Sequence, residues 1–194
     1  MSDDRWGWRD DLAEWVQGRT WWWRALLLWF LAVQALVPFR HGPFDEAWSI
    51  FGPINFGAHE FGHLFFAVFT GQFLTTLGGS LMQLLVPLGA AFAIRRANDF
   101  FGVAVCGLWL AESAAELRFY IADARDMDLD LVSFSPDGGD HDWNYLLRTL
   151  DWLPHDRTIA KGLGVIAFGI WLASVLFSLW LFVQMHRART SKGS

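Results

Sequence analysis

Phe73-Leu74-Thr75-Thr76-Leu77-Gly78-Gly79-Ser80-Leu81-Met82-Gln83-Leu84-Leu85-Val86-Pro87-Leu88-Gly89-Ala90-Ala91-Phe92-Ala93-Ile94 carries no charged side chain. An α-helix needs about 20 predominantly apolar residues to cross roughly 30 Å of hydrocarbon. This run meets that length, and its only strongly polar side chain is Gln83. It therefore reads as a membrane span, and the rest of the chain follows the same pattern. Trp21 to Phe39 carries a single charge, Arg24 near its start. Phe100 to Ala122 holds Glu112, Glu116 and Arg118, and Ile159 to Met185 has Lys161 at its entry. A fifth apolar stretch, Trp48 to Thr70, is interrupted by Pro53 and carries His59, Glu60 and His63.

The composition agrees. Of 194 residues, 54% are hydrophobic and 18% charged, with 13 Trp and 18 Phe. Soluble domains average about 25% charged residues, so a bilayer is the expected solvent. One Cys makes no internal disulfide, and a net charge of -5 leaves no basic footprint for nucleic acid. The expected fold is all-α: a polytopic helix bundle with four full spans plus a spanning or re-entrant helix that carries His59 and His63.

Three regions follow. Residues 1–20 read as an amphipathic N-terminal segment lying at the membrane interface, with Trp6, Trp8 and Trp15 among its tryptophans. Its acidic start, from Asp3 to Glu14, does not read as a secretory signal peptide. Residues 21–185 form the membrane-embedded domain, within which 122–158 is an extramembrane, Asp-rich loop. Residues 186–194 are a basic tail. Cytoplasmic loops favour Lys and Arg. Arg5, Arg9, Arg19 and Arg24 flank the first span, Arg95 and Arg96 separate the second and third, and Arg187, Arg189 and Lys192 follow the last. Four spans place all three groups inside, with both termini cytoplasmic, provided the His59–His63 stretch enters from outside and returns. If that stretch spans, one basic group or the N-terminus lies outside. The expected location is the cell membrane, with the chain passing through it several times.

His59-Glu60-Phe61-Gly62-His63 is an H-E-x-x-H. On a helix, residues four apart share one face, so both imidazoles can reach one Zn²⁺ at about 2.0–2.1 Å. Glu60 adjoins the first imidazole and can reach an attacking water as general base. The zinc itself makes that water more acidic and polarises a carbonyl. In apolar surroundings such ionisable groups are functional by default. The alternative for the same residues is a pair of neutral histidines hydrogen-bonded to neighbouring helices.

A catalytic zinc generally has three protein ligands. His141, in Gly138-Gly139-Asp140-His141-Asp142-Trp143, is the first choice for the third. Asp123 and Glu116 are its rivals, Glu116 if the His59 helix crosses fully. Glu112 and Glu116 share a helix face. Asp140 or Asp142 would orient an imidazole, and Gln83 would hold substrate backbone, a ligand or a neighbouring helix.

Gly57-Ala58-His59-Glu60-Phe61-Gly62-His63, the Gly78-Gly79-Ser80-x-x-Gln83-x-x-x-Pro87 span, Tyr120-Ile121-Ala122-Asp123-Ala124 and His141-Asp142-Trp143-Asn144-Tyr145-Leu146-Leu147 together resemble the bacterial membrane proteins classed as site-2 protease-like (peptidase B-type) zinc metallopeptidases. The likeness covers about residues 50 to 150. It implies an intramembrane zinc peptidase with His59 and His63 as ligands and Glu60 as base, and it supports Asp123 and His141-Asp142 as site elements. The chain has Leu150-Asp151-Trp152 and no Leu-Asp-Gly, the late motif from which site-2 proteases draw a ligand. The expected activity is hydrolysis of a peptide bond in or near the bilayer, with a membrane protein or peptide as substrate. A multi-pass protein with a structural metal site or a partner-binding role is the alternative.

Overall fold

The computed structural model describes residues 7–42, 48–129 and 141–191. Residues 1–6 of the N-terminal segment, 130–140 of the acidic loop and 192–194 of the basic tail lie outside it, so Trp6, Asp140 and Lys192 are not placed. The described residues are helical, with no strand. The helices are α1 (Trp8–Trp15), α2 (Trp22–Gln34), α3 (Val37–Arg40), α4 (Gly52–Ala67), α5 (Gln72–Arg96), α6 (Phe100–Ala122), α7 (Asp142–Thr149) and α8 (Asp156–Thr190), the last preceded by a 3-10 turn at Leu153–His155. Three are long and apolar enough to cross a membrane: α5, α6, and α8 taken with its 3-10 turn.

The apolar run from Trp21 to Phe39 folds as two helices, α2 and α3. Pro38 lies in the first turn of α3. Proline has no N–H to donate to the turn before it, so a single continuous helix would lose a bond there. Thirteen residues of α2 rise only about 20 Å. The pair together nevertheless runs beside α6. The Trp23 ring meets Phe101 edge-on at 6.4 Å, and Arg118 donates to the Pro38 carbonyl at 2.6 Å. From Phe101 to Arg118, α6 rises about 25 Å.

Helix α6 is the centre of the bundle. Its packed face is built from small residues, including Ala104, Ala111, Ala114 and Ala115, which lets backbones come close where dispersion supplies most of the attraction. Helix α8 lies antiparallel to it, with Gly164 beside Arg118, Gly107 against Ser174 and Phe101 against Phe182. Helix α5 joins α6 through a tight turn in which Asn98 takes φ 55° and Asp99 accepts from the Gly102 N–H. One end of the bundle thus gathers the start of α2, the end of α5, the start of α6 and the end of α8. Arg19, Arg24, Arg95 and Arg96 belong to that end, where Arg95 pairs with Asp11 at 3.2 Å. Helix α1 docks there too, with Trp15 buried edge-on against Phe100. At the opposite end Asp156, fully buried, accepts from Arg125 at 2.7 Å.

Helix α4 is placed differently from the long helices. It starts against the middle of α6, where Phe51 stacks on Trp109 and Asn55 is buried beside Glu112, Ser113 and Glu116. It ends beside the first turns of α5, antiparallel to it. The α4–α5 crossing is close because glycine faces glycine. A Cβ on Gly62 would overlap the Gly78 carbonyl oxygen, and would lie 2.8 Å from the Met82 Cβ. Gly62→Ala should therefore push the helices apart and destabilise the protein by about 1–3 kcal/mol, the usual cost of overpacking. Thermal unfolding in detergent measures this, and an unchanged midpoint would refute the close crossing.

Candidate metal centre

His59 and His63 stand one turn apart on α4, their ring centroids 4.8 Å apart. Each ring is held at Nδ1. His63 Nδ1 lies 3.0 Å from the Thr75 carbonyl oxygen. A carbonyl only accepts, so this nitrogen carries the hydrogen. His59 Nδ1 lies 3.1 Å from Gln83 Oε1. The Gln83 amide is oriented by its other contacts. Its Nε2 faces two acceptors, the Ser113 carbonyl at 3.4 Å and Glu116 Oε2 at 3.2 Å, so Oε1 must be the atom presented to His59.

With both Nδ1 atoms donating, the neutral rings present bare Nε2 lone pairs. Both point at one atom. Asp142 Oδ2 lies 3.2 Å from His59 Nε2 and 3.1 Å from His63 Nε2. Three lone pairs meeting at such distances repel unless a cation lies among them, either added protons or a metal ion. Two ligands each about 2.1 Å from a tetrahedral ion sit about 3.4 Å apart, close to the spacings observed. A carboxylate oxygen of Glu60 joins the same group, its ligand atom within 4.8 Å of those of the two imidazoles. The back wall is Gly79. A Cβ there would come within 2.5 Å of His63 Nε2 and 2.7 Å of His59 Nε2, so only glycine leaves these nitrogens room. The donor set of two imidazoles and one carboxylate suits a divalent ion such as Zn²⁺.

The HExxH residues and Asp142 thus come together. His141 does not join them. It caps α7: its Nδ1 accepts from the Asn144 N–H at 3.3 Å, and its Nε2 faces Asp123 Oδ2 at 3.1 Å. Both ring nitrogens are occupied and the ring is buried. Asp123 is occupied likewise, accepting from the N–H groups of Asp128 and Leu129. The two residues tie the loop after α6 to the first turn of α7, and so place Asp142 over α4. Glu116 is hydrogen-bonded to the metal group through Gln83, whose Nε2 donates to its Oε2 at 3.2 Å.

Several site residues escaped the sequence reading. Thr75 supplies a backbone atom, which no side-chain pattern reveals. Asn55 had a signal, because Asn55, His59 and His63 recur every four residues and so form one polar stripe on α4. A cavity of about 420 Å³ opens at the first turns of α4, lined by Pro38, Trp48, Phe56, Glu112, Glu116 and Tyr120. Phe56 precedes Glu60 by one helical turn. No family model, no curated protein and no solved structure matches this chain.

Proposed function

We propose that the chain is a membrane-embedded zinc-dependent metallopeptidase of site-2 protease-like type, cutting a peptide bond in or near the bilayer. The observation that carries this reading is the meeting of His59 Nε2, His63 Nε2 and Asp142 Oδ2, with both ring N–H groups turned away. His59, His63 and Asp142 would hold Zn²⁺. Bound there, zinc would supply Lewis acidity toward a water and a peptide carbonyl. Glu60, beside the imidazoles, takes the proton of the attacking water on its carboxylate and passes it to the departing amine nitrogen. The cavity lined by Phe56, one helical turn before Glu60, would offer space for substrate backbone.

The bundle would sit in the membrane with α2–α3, α5, α6 and α8 as four spans. The arginine-rich end would face the cytoplasm, with both termini there. Helix α4 would then be re-entrant: the chain comes down from Arg40 to the mid-depth of α6 and climbs back through His59 and His63. The first turn of α4, where Asn55 meets Glu112 and Glu116 midway along α6, supports this path.

Metal analysis tests the proposal. Purified protein should carry one zinc per chain, and His59→Ala should carry none. Equal zinc in the two proteins would refute the site. Zinc bound tightly with no proteolysis of any transmembrane peptide would favour a structural metal instead.

A further inference from the structure

We propose that Gln83 and Glu116 are positioning residues for the His59 imidazole, so that α6 sets the affinity of a metal site to which it contributes no ligand. This rests on the metal reading above.

The two imidazoles are held in unlike ways. His63 donates to a backbone carbonyl, that of Thr75, inside the α5 helix. His59 donates to a side chain, Gln83, which is itself held by side chains. Gln83 Nε2 donates to Glu116 Oε2 at 3.2 Å and to the Ser113 carbonyl at 3.4 Å. Glu116 Oε2 also accepts from Asn55 Nδ2 at 2.8 Å. Asn55 donates its second amide hydrogen to Glu112 Oε2 at 2.6 Å, and its Oδ1 accepts from Trp109 Nε1 and Ser113 Oγ, each at 2.8 Å. Asn55 therefore makes all the hydrogen bonds an amide side chain can make. Its amide cannot flip without setting donor against donor, and neither can that of Gln83.

The consequence is directional. Trp109, Glu112, Ser113 and Glu116 lie on α6 and fix Asn55 on α4 and Gln83 on α5. Gln83 then fixes which nitrogen of His59 carries hydrogen and which faces the metal group. Gln83 and Asn55 are almost wholly buried, at 3% and 1% exposure, so water does not readily replace the partners they lose. Partners of this kind on a ligating histidine are worth about 10–100-fold in metal affinity.

Zn²⁺ affinity of the full chain in detergent, measured by competition with a chelator, tests the proposal. Gln83→Leu should bind about 10–100-fold more weakly than wild type. Gln83→Glu keeps an acceptor oxygen for the His59 N–H and should retain most of the affinity. Glu116→Leu should weaken binding, and the double variant Gln83→Leu/Glu116→Leu should bind no more weakly than Gln83→Leu alone, because Glu116 acts through Gln83. Circular dichroism and melting of each variant separate loss of the site from loss of the fold. Wild-type affinity in folded Gln83→Leu would overturn the proposal while leaving the metal site standing. So would equal losses in Gln83→Leu and folded Gln83→Glu, or additive losses in the double variant. A wild-type protein that binds no Zn²⁺ would overturn both readings together.

Discussion

Glu60→Gln is expected to keep the full zinc content of the wild-type protein and to lose about 10²–10⁴-fold in peptide hydrolysis, the range that a positioned general base contributes. The two amino acids are nearly isosteric, so the α4 backbone and the imidazole contacts to Thr75 and Gln83 stay as they are. What disappears is a group able to take a proton. A transmembrane peptide substrate, with zinc content measured on the same sample, gives both numbers. Turnover surviving in Glu60→Gln would remove Glu60 from the chemistry. Zinc lost along with turnover would make it a ligand. Either result contradicts the proposed roles, and the two are easily told apart.

The second large effect separates neighbours in the chain. Asp142→Ala should strip the metal, because its Oδ2 lies 3.2 Å and 3.1 Å from the two Nε2 atoms. His141→Ala should leave zinc bound at one per chain and cost stability instead, about 1 kcal/mol for loss of the helix cap and more for the Asp123 carboxylate left without its buried partner. Zinc stoichiometry and thermal melting of the two variants form the comparison. A metal-free His141→Ala protein beside a metal-replete Asp142→Ala protein would restore His141 as the third ligand.

That one-residue difference shows where sequence reading ends. The membrane class was legible because length and lack of charge are one-dimensional properties, and the run from Phe73 to Ile94 displays both. The facing of His59 and His63 was legible because helical period alone sets it. Choosing between His141 and Asp142 needed the place where α7 begins. His141 sits at extended φ −68°, ψ 103° as the cap, and Asp142 is the first helical residue. The cap turns its ring back onto the loop, so the next side chain points toward α4. The Gln83–Glu116–Asn55 network joins residues up to 61 positions apart, and no local pattern encodes that. The break between α2 and α3 was partly legible, since Pro38 stands in the sequence. Its effect on the first apolar run depends on how the chain repacks beside α6.

The glycine pairing of α4 with α5 has one more consequence. Gly62 and Gly78 bring two backbones together, and Gly79 brings the second backbone against both imidazoles. The same absence of side chains serves as structural seam and as the wall behind the proposed metal group. A substitution at Gly79 that the fold survives would still crowd the two Nε2 atoms and, on the proposed reading, displace the ion. Loss of metal binding should thus come before loss of shape.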